Sequence, residues 1–501
     1  MFYQGRRSCG QSFQLVRQAF LQADGLPFDD VLSEGDIQQA FEAENACFAR
    51  DEGDLYTPAV TLWAFLSQAL HAQRLRSCAA AVSRVIVLCV ALGRQPPSPD
   101  TGAYCRARAK LSEAVLTRLV YETAEQLESR VPADWLWLGR HVKAGDGTTL
   151  TTPDTPENQA AWPQPRTQKP GLGFPILRMV VLFSLATAAV SAVAVGPYQG
   201  KGTGEPALLR ELLDRFQPGD VFLGDCYFCS YFLLALLVAY GVDVVTRQHQ
   251  RRSTDFRLGR RLGREDHVVP WQRPQRPSWM DQETYATIPE TLEVRELKVR
   301  VAIRGFRVQQ LVVVTTLTDA QRYPASEVAG LFRQHWHAEL DLRNIKISLQ
   351  MDDLRGQTPE IVRREIRVHW LAYNLIRKTI AQAVAASHRW SSSPSLRLAK
   401  EILLVVPSAC GIPRLPNSLP VGRRSRCAPA NVPCQHLTET SLLPLIILAV
   451  SASCSALDPS ARVNLSSQPL SRVTLKVVDS AIHVSPLIIS STIAANSLVC
   501  I

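Results

Sequence analysis

The chain has 501 residues, of which 46% are hydrophobic and 20% are charged, a balance typical of a globular protein with more than one domain. Its formal net charge of +10 favours an acidic partner, and nucleic acid is the first candidate. The twelve cysteines are scattered along the chain, which argues against a disulfide framework.

Nothing near the N-terminus combines a basic region, an apolar core and a small-residue cleavage site, so no secretory signal is predicted. The apolar runs Met179–Val195 and Leu442–Val450 are shorter than the roughly 18–20 residues that a membrane span needs. Cys226 and Cys229 form a lone CxxC pair without a second pair at zinc-finger spacing. We therefore expect a cytoplasmic protein without a membrane segment or a zinc site.

Residues 1–134 are predicted to form a helical domain that binds DNA. The runs Val60–Leu66 and Ala107–Leu119 have helical apolar spacing, and Pro96–Pro99 indicates a connection between helices. Six cations are expected on the helix surfaces: Arg74, Arg76, Arg84, Arg106, Arg108 and Lys110. An ordinary helical bundle remains the alternative.

From residue 135 the pattern changes to alternating strands and helices. The predicted strands are 142–150, 176–185, 188–196, 220–225 and 242–246, and the predicted helices are 205–216 and 230–240. Three strands followed by alternating helices and strands are typical of an RNase H-like fold, an α/β architecture. Residues 135–250 are therefore interpreted as the first part of an RNase H-like catalytic core.

The first and fourth strands of that order lie side by side, which would bring Asp146 and Asp225 together. A third acid, Glu339, falls on a predicted helix in the last part of the core, residues 319–393. Between the two parts, residues 251–318 are Arg- and Pro-rich and then alternate like paired strands, which predicts an inserted β-rich domain.

Three carboxylates on adjacent elements are suited to hold two Mg²⁺ or Mn²⁺ ions, because these ions prefer oxygen ligands. Two such ions can activate an attacking oxygen and stabilise the leaving oxygen of a phosphodiester. We therefore interpret Asp146, Asp225 and Glu339 as catalytic metal ligands. Each acid taken alone has a simpler explanation. An Asp at a strand end commonly caps a turn, and Glu339 could be a solvated helical residue paired with Arg343.

Cations and aromatic residues around Glu339 predict a DNA-binding face. Positions 332, 335, 336, 339, 343 and 346 fall on one side of a helix. A second basic region, Arg247–Arg264, has seven arginines and a single acid. The residues expected to contact DNA are Phe332, Arg333, His335, Trp336, Arg343, Lys346, Arg251, Arg252, Arg260 and Arg261.

The segments Asp146–Thr149, Gly219–Asp225 and Phe332–Lys346 resemble the DDE insertion-sequence transposases of the Tyr-Arg-Glu-Lys group, the IS-four family. Glu339 and Lys346 match that motif, whereas Phe332 and His335 stand where the group has Tyr and Arg. The segments 351–359 and 371–377 are also similar, and the resemblance covers roughly residues 25–390.

The resemblance implies an enzyme that binds the inverted-repeat ends of a mobile element and pairs them in a homodimer. It cuts the DNA with metal-activated water, and the freed 3′-hydroxyl then attacks target DNA. It also implies that Lys346 holds a phosphate and that Phe332 stacks on a base. A cytoplasmic protein associated with the nucleoid when bound to DNA is expected.

Two other functions remain open. A catalytically impaired copy would bind element ends without cutting them, and the residues at 226, 332 and 335 favour it, while the intact acids oppose it. A structure-specific nuclease of the same fold would cut without joining strands.

Residues 394–501 are predicted to be a low-complexity tail produced by a shifted reading frame. No Phe, Tyr, Trp or Met follows Trp390, and five of the twelve cysteines follow Ala409. A native low-complexity tail is the alternative. A frameshift near Pro394 would leave catalysis intact while removing a C-terminal segment for pairing subunits.

Overall fold

A computed structural model describes most of the first 390 residues. The described ranges are 31–49, 51, 54–71, 73–169, 171–301, 309–335, 341–342, 344–390, 474–477 and 480–483. The chain divides into two compact units, Met1–Pro394 and Ser395–Ile501. In the second unit, the described residues form an antiparallel hairpin of Thr474–Val477 and Ser480–His483. The rest of the predicted tail lies outside the described residues.

The N-terminal part of the first unit is helical. Its α-helices are α1 Glu34–Ala43, α2 Pro58–Leu70, α3 Cys78–Ala91, α4 Gly102–Lys110 and α5 Glu113–Glu128, with short 3₁₀ helices at Gln73–Arg76 and Ala133–Trp135. Side-chain oxygens of Ser33, Thr57 and Ser77 accept hydrogen bonds from backbone N–H groups in the first turns of α1, α2 and α3. Each cap satisfies a donor that a helix start leaves unpaired, which fixes where these helices begin.

Arg76 does not lie on an exposed cationic face, so that prediction was wrong. Its side chain is 2% exposed. One Nη atom donates to the carbonyl oxygen of Gln350 at 2.9 Å, and the other lies 3.3 Å from the Glu365 carboxylate. Glu365 also accepts from the backbone N–H groups of Arg355 and Gly356. A guanidinium taken out of water needs such partners, so Arg76 ties the N-terminal helices to residues 350–365.

One large sheet forms the centre of the unit. Its strands are β1 Val142–Thr151, β2 Ile176–Ser184, β3 Val190–Pro197, β4 Val221–Gly224, β5 Asp243–Arg247, β6 Arg260–Gly263, β7 Asp266–Gln272, β8 Thr291–Val301 and β9 Gln309–Thr315. Among the described residues these nine strands run in the order β3-β2-β1-β4-β5-β9-β8-β7-β6. The first five strands were all predicted from the sequence.

Strands β1, β2 and β3 pair antiparallel, whereas β1–β4 and β4–β5 pair parallel. Strand β5 then pairs antiparallel with β9. The strands of residues 251–318 therefore continue the same sheet. Between β8 and β7, Arg295 donates from Nε to Oδ1 of buried Asp266 at 2.7 Å and from Nη2 to Oδ2 at 2.5 Å.

Hydrophobic residues cover both faces of the sheet. In β2, Met179, Val181 and Phe183 belong to one buried cluster, while the alternating Val180 and Leu182 belong to another. Because side chains alternate across a strand, these clusters lie on opposite faces. A strand buried on both faces is a nearly continuous apolar run, which is why the sequence revealed it.

The structure describes six further α-helices in the first unit. They are α6 Pro156–Ala161, α7 Glu205–Arg210, α8 Tyr231–Ala239, α9 Gln282–Thr287, α10 Ala325–Arg333 and α11 Pro359–Trp390, with a 3₁₀ turn at Leu213–Arg215 and a π-helical turn at Asn344–Ser348. The long helix α11 packs mainly against α5. Within the described ranges, no helix combines the length and the apolar character needed to cross a membrane.

Candidate active site

Asp146 on β1 and Asp225, which directly follows β4, occupy equivalent positions relative to the pairing of these two parallel strands. The last paired residues of β1 and β4 are Ala144 and Leu223. Asp146 comes two residues after the first of these and Asp225 two residues after the second. Because side chains repeat their direction every two residues, the Asp146 carboxylate lies on the strand face of Ala144. The end of the β1–β4 ladder therefore carries two carboxylates.

The Asp146 carboxylate is kept in an environment that disfavours its charge. Burial raises the pKa of Asp146 to about 7, a hydrogen bond from the Gly147 backbone N–H opposes that rise, and the charges of Asp225 and Glu205 add to it. The N–H of Gly147 donates to Oδ1 at 2.8 Å. A carboxyl group that is desolvated and faces other carboxylates gains from a bound cation.

The pKa of Asp225 is subject to opposing influences. Burial raises its pKa, and the backbone N–H groups of Tyr227 and Phe228, together with His335 and Arg247, oppose the rise. The N–H of Tyr227 donates to Oδ1 at 2.9 Å. Among the described residues, neither Asp146 nor Asp225 forms an ion pair with a basic side chain, so their charge is left for another cation.

Glu205 is a third carboxylate at this site, and no motif in the sequence pointed to it. It is the first residue of α7. Burial and the charge of Asp225 raise its pKa, while Arg178 lowers it. Its carboxyl carbon lies 2.3 Å from where a β-carbon on Gly147 would be. No spacing in the sequence links positions 147 and 205, so only the fold reveals this contact.

The run 332–346 is not one continuous helix as predicted, because α10 ends at Arg333 and residues 334–335 form a turn. Two residues of this run are nevertheless bound to β1, one on each side of Asp146. His335 Nε2 lies 3.2 Å from the carbonyl oxygen of Gly145. Lys346 Nζ donates to the Thr148 hydroxyl at 3.2 Å and to the Thr149 carbonyl oxygen at 3.1 Å. Residues between these two anchors include Trp336, Glu339 and Arg343, which lie outside the described residues.

The residues at and before the His335 anchor differ in their exposure to solvent. Arg333 is exposed, whereas His335 is 7% exposed. Phe332 is partly buried, and its ring is nearly parallel to that of His335 at an angle of 7° and a centroid distance of 6.3 Å. The geometry leaves Arg333 open to a phosphate, but it does not favour a phosphate contact for His335.

The basic region Arg247–Arg264 presents its predicted DNA-contact arginines to solvent. Arg251, Arg252, Arg260 and Arg261 are all exposed. Arg260 and Arg261 belong to β6, which is an edge strand of the sheet. The Arg252 guanidinium lies 3.6 Å from the centre of the Trp271 ring, an arrangement that holds the arginine by a cation–π contact.

The donor set fits a hard divalent cation, since Asp146 and Asp225 are carboxylates that form no ion pair with a basic side chain in the part of the chain that the structure describes. In the described part of the chain, no three His, Cys, Asp or Glu side chains form a group that could hold a metal ion. The predicted third ligand, Glu339, is outside that part. The six cysteines that the structure describes, including Cys226 and Cys229, are free.

Comparison with known proteins shows similarity to transposases. Residues 137–375 match the family of transposase DDE domains. The transposase InsG for insertion sequence element IS4 of Escherichia coli (strain K12) is 30% identical over 289 residues, which are 56% of this chain and 61% of that protein. A putative transposase, y4zB, of Sinorhizobium fredii (strain NBRC 101917 / NGR234) is 29% identical over 119 residues, which are 23% of this chain and 32% of that protein.

Residues 137–375, just under half of the chain, are therefore similar to transposase DDE domains, as the motifs indicated. The chain spans less than two thirds of the length of either relative, 61% of the IS4 transposase and 32% of y4zB. Members of the family generally use divalent metal ions. A solved structure, the piggyBac transposase synaptic complex with hairpin DNA, aligns with 78% of each chain at 11% identity and a TM-score of 0.37, which supports no conclusion by itself.

Proposed function

We propose that the chain is a DNA transposase whose Asp146, Asp225 and Glu339 hold two Mg²⁺ or Mn²⁺ ions. The observation that carries this proposal is the placement of Asp146 and Asp225 at the end of the β1–β4 ladder without an ion-pairing basic residue among the described residues. When bound, such ions would activate the oxygen that attacks a phosphodiester and stabilise the oxygen that leaves it. The strand order β3-β2-β1-β4-β5 supports an RNase H-like core.

Glu339 is proposed as the third ligand because of its neighbours. His335 is bound to Gly145 and Lys346 is bound to Thr148 and Thr149, and Asp146 lies between these points on β1. Glu339 falls between these two anchors in the sequence, which supports its assignment as the third ligand. Asp341, two residues after Glu339, forms a buried ion pair with Arg377 of α11 and provides a further anchor.

The proposed DNA-binding surface consists of the exposed cations Arg333, Arg251, Arg252, Arg260 and Arg261, together with Lys346. Lys346 would exchange its hydrogen bonds with β1 for a phosphate oxygen. Trp336 and Arg343 complete the expected set. Contacts of this kind give affinity that depends strongly on salt and weakly on sequence.

The proposed substrates are the inverted-repeat ends of an insertion sequence and a target DNA, with a homodimer as the active assembly. The similarity to a transposase for an insertion sequence element supports this choice. The second candidate is a copy that binds element ends without cutting. One observation favours it: His335, at the position of the group's Arg, is buried and bonded to the backbone of β1.

A nicking assay separates the two candidates. The full chain is incubated with Mg²⁺ and labelled duplexes that carry the DNA flanking its gene. A transposase nicks them to leave a 3′-hydroxyl and joins that end to a second duplex, whereas Asp225→Asn abolishes nicking and retains DNA binding. Asp214→Asn is the matched control, because the Asp214 side chain is 65% exposed. DNA binding without nicking by the wild-type chain would establish the second candidate.

A further inference from the structure

His335 takes the place of a missing backbone contact between β1, which carries Asp146, and Asp225, the residue after β4. The Val221 N–H donates to the His141 carbonyl oxygen across β1 and β4, and the Leu185 N–H donates to the Val142 carbonyl oxygen on the opposite edge of β1. Because carbonyls alternate along a strand, those of His141 and Gly145 point to the same edge, towards β4.

The β1–β4 ladder ends before it reaches Gly145. Its last pair is Ala144 with Leu223, and β4 ends at Gly224. If the ladder continued with its period of two residues, the N–H of Asp225 would be the donor to the Gly145 carbonyl oxygen. That carbonyl oxygen instead lies 3.2 Å from His335 Nε2. The imidazole therefore fills the space in which the two strands separate.

The surroundings of His335 hold its ring in this space. The side chain is 7% exposed, and the Phe332 ring stacks parallel to it. The backbone N–H of His335 donates to the Phe332 carbonyl oxygen at 3.0 Å, in a turn that follows the end of α10. Because the Gly145 oxygen is an acceptor, Nε2 carries the hydrogen in this contact.

From this geometry we infer that His335 is a positioning residue, which sets the separation between Asp146 and Asp225 by donating from Nε2 to the Gly145 carbonyl oxygen. The inference rests on the proposed function, because it concerns the metal site that the two aspartates would form. It assigns His335 a role inside the protein in place of a contact with DNA phosphate.

Two neutral substitutions test the position of the donor. In His335→Gln the amide nitrogen lies close to the position of Nε2, and in His335→Asn it lies close to that of Nδ1. Both remove the ring and neither carries a charge, so a difference between them reports where the N–H is. Mn²⁺ affinity of the DNA-free full chain and single-turnover nicking are measured, with DNA affinity and its salt dependence as the controls. Circular dichroism verifies that both variants fold.

We expect His335→Gln to keep Mn²⁺ affinity and nicking near those of the wild type, and His335→Asn to lower both about tenfold or more, since small misplacements at a reacting centre have effects of that size. DNA affinity and salt dependence stay unchanged in both. Equal Mn²⁺ affinities for the two variants would overturn the inference about His335 and leave the proposed function standing. A loss confined to DNA affinity would do the same. A wild-type chain that binds no Mn²⁺ would overturn the proposed function itself.

If His335→Asn fails to fold while His335→Gln folds, Mn²⁺ affinity of His335→Gln is compared with that of His335→Leu, which lacks any donor. Tighter binding by the Gln variant supports the inference, and equal binding or a misfolded Gln variant contradicts it.

Discussion

The carboxyl group of Glu205 occupies the position that a side chain at Gly147 would need. A β-carbon on Gly147 would lie 2.3 Å from Cδ and 2.4 Å from Oε1 of Glu205. Atoms cannot approach this closely, so a side chain at position 147 would require the Glu205 carboxyl group to move. Since Gly147 directly follows Asp146, any displacement of β1 at this point also moves the proposed metal ligand.

Gly147→Ala is therefore expected to displace the Glu205 carboxyl group and to destabilise the fold by about 1 kcal/mol, the lower end of the usual cost of overpacking. Thermal unfolding of the variant measures the effect. The loss should shrink in a Glu205→Ala background, because the clashing carboxyl group is then absent. Gly330→Ala is the control, since its β-carbon would meet nothing closer than 3.9 Å. Equal losses with and without Glu205 would contradict the contact.

Replacing Asp146 is expected to stabilise the metal-free protein in a pH-dependent way. Its pKa is raised to about 7 in the folded chain, whereas an unfolded Asp titrates near 3.9. The neutral acid is therefore favoured by folding, and that contribution is lost as the pH rises from about 4 through 7. Asp146→Asn stays neutral, so it should gain on the order of 1–3 kcal/mol at pH 8.

Denaturant unfolding in a chelator measures this gain, which should be smaller at pH 5 than at pH 8. Asp214→Asn, an exposed position, should change stability little at either pH. A gain of equal size at both pH values would show that the buried charge of Asp146 is not its cause.

Lys346→Ala is expected to weaken DNA binding and to lower the slope of log affinity against log salt by about one unit, as for the loss of one phosphate contact. Fluorescence anisotropy over a salt series measures both. Lys298→Ala removes the same charge from a side chain already paired with Glu265 at 2.7 Å, and it serves as the control. A salt slope identical to that of the wild type would assign Lys346 to β1 alone.

Arg76→Ala is expected to cost about 3–5 kcal/mol of folding stability, because it leaves Glu365 buried without its cationic partner. The exposed neighbour Arg74, replaced by Ala, should cost less than about 0.5 kcal/mol. Equilibrium unfolding of both variants provides the comparison. A loss below about 1 kcal/mol for Arg76→Ala would argue against an essential buried ion pair.

Local patterns in the sequence identified the central strands but not the residues that connect them. The runs that became β1 to β5 are apolar and flanked by glycine or turn residues, so their bounds were predicted within about two residues. Strand β6 was missed because an edge strand rich in arginine, with Arg260 and Arg261, lacks an apolar pattern. The predicted placement of Asp146 beside Asp225 depended on the strand order, and the register agrees with it.

Contacts between residues distant in sequence could not be predicted from one sequence. Arg76 and Glu365 are separated by 289 positions, and His335 and Gly145 by 190. A pattern of charges does not distinguish a buried arginine from a solvated one, nor a histidine bonded to a backbone carbonyl from one that meets a phosphate. Glu205 was missed for the same reason, since its importance follows from the approach of α7 to Gly147.

Anomalous scattering from crystals soaked in Mn²⁺ shows directly whether the three carboxylates share a pair of ions. We expect two peaks about 3.5–4 Å apart, bound by the carboxylates of Asp146, Asp225 and Glu339. Crystals of Asp225→Asn treated in the same way should lose this pair of peaks. Peaks bound elsewhere, or a Glu339 carboxylate more than about 10 Å from the two aspartates, would contradict the account, because the three groups could not then share one ion pair.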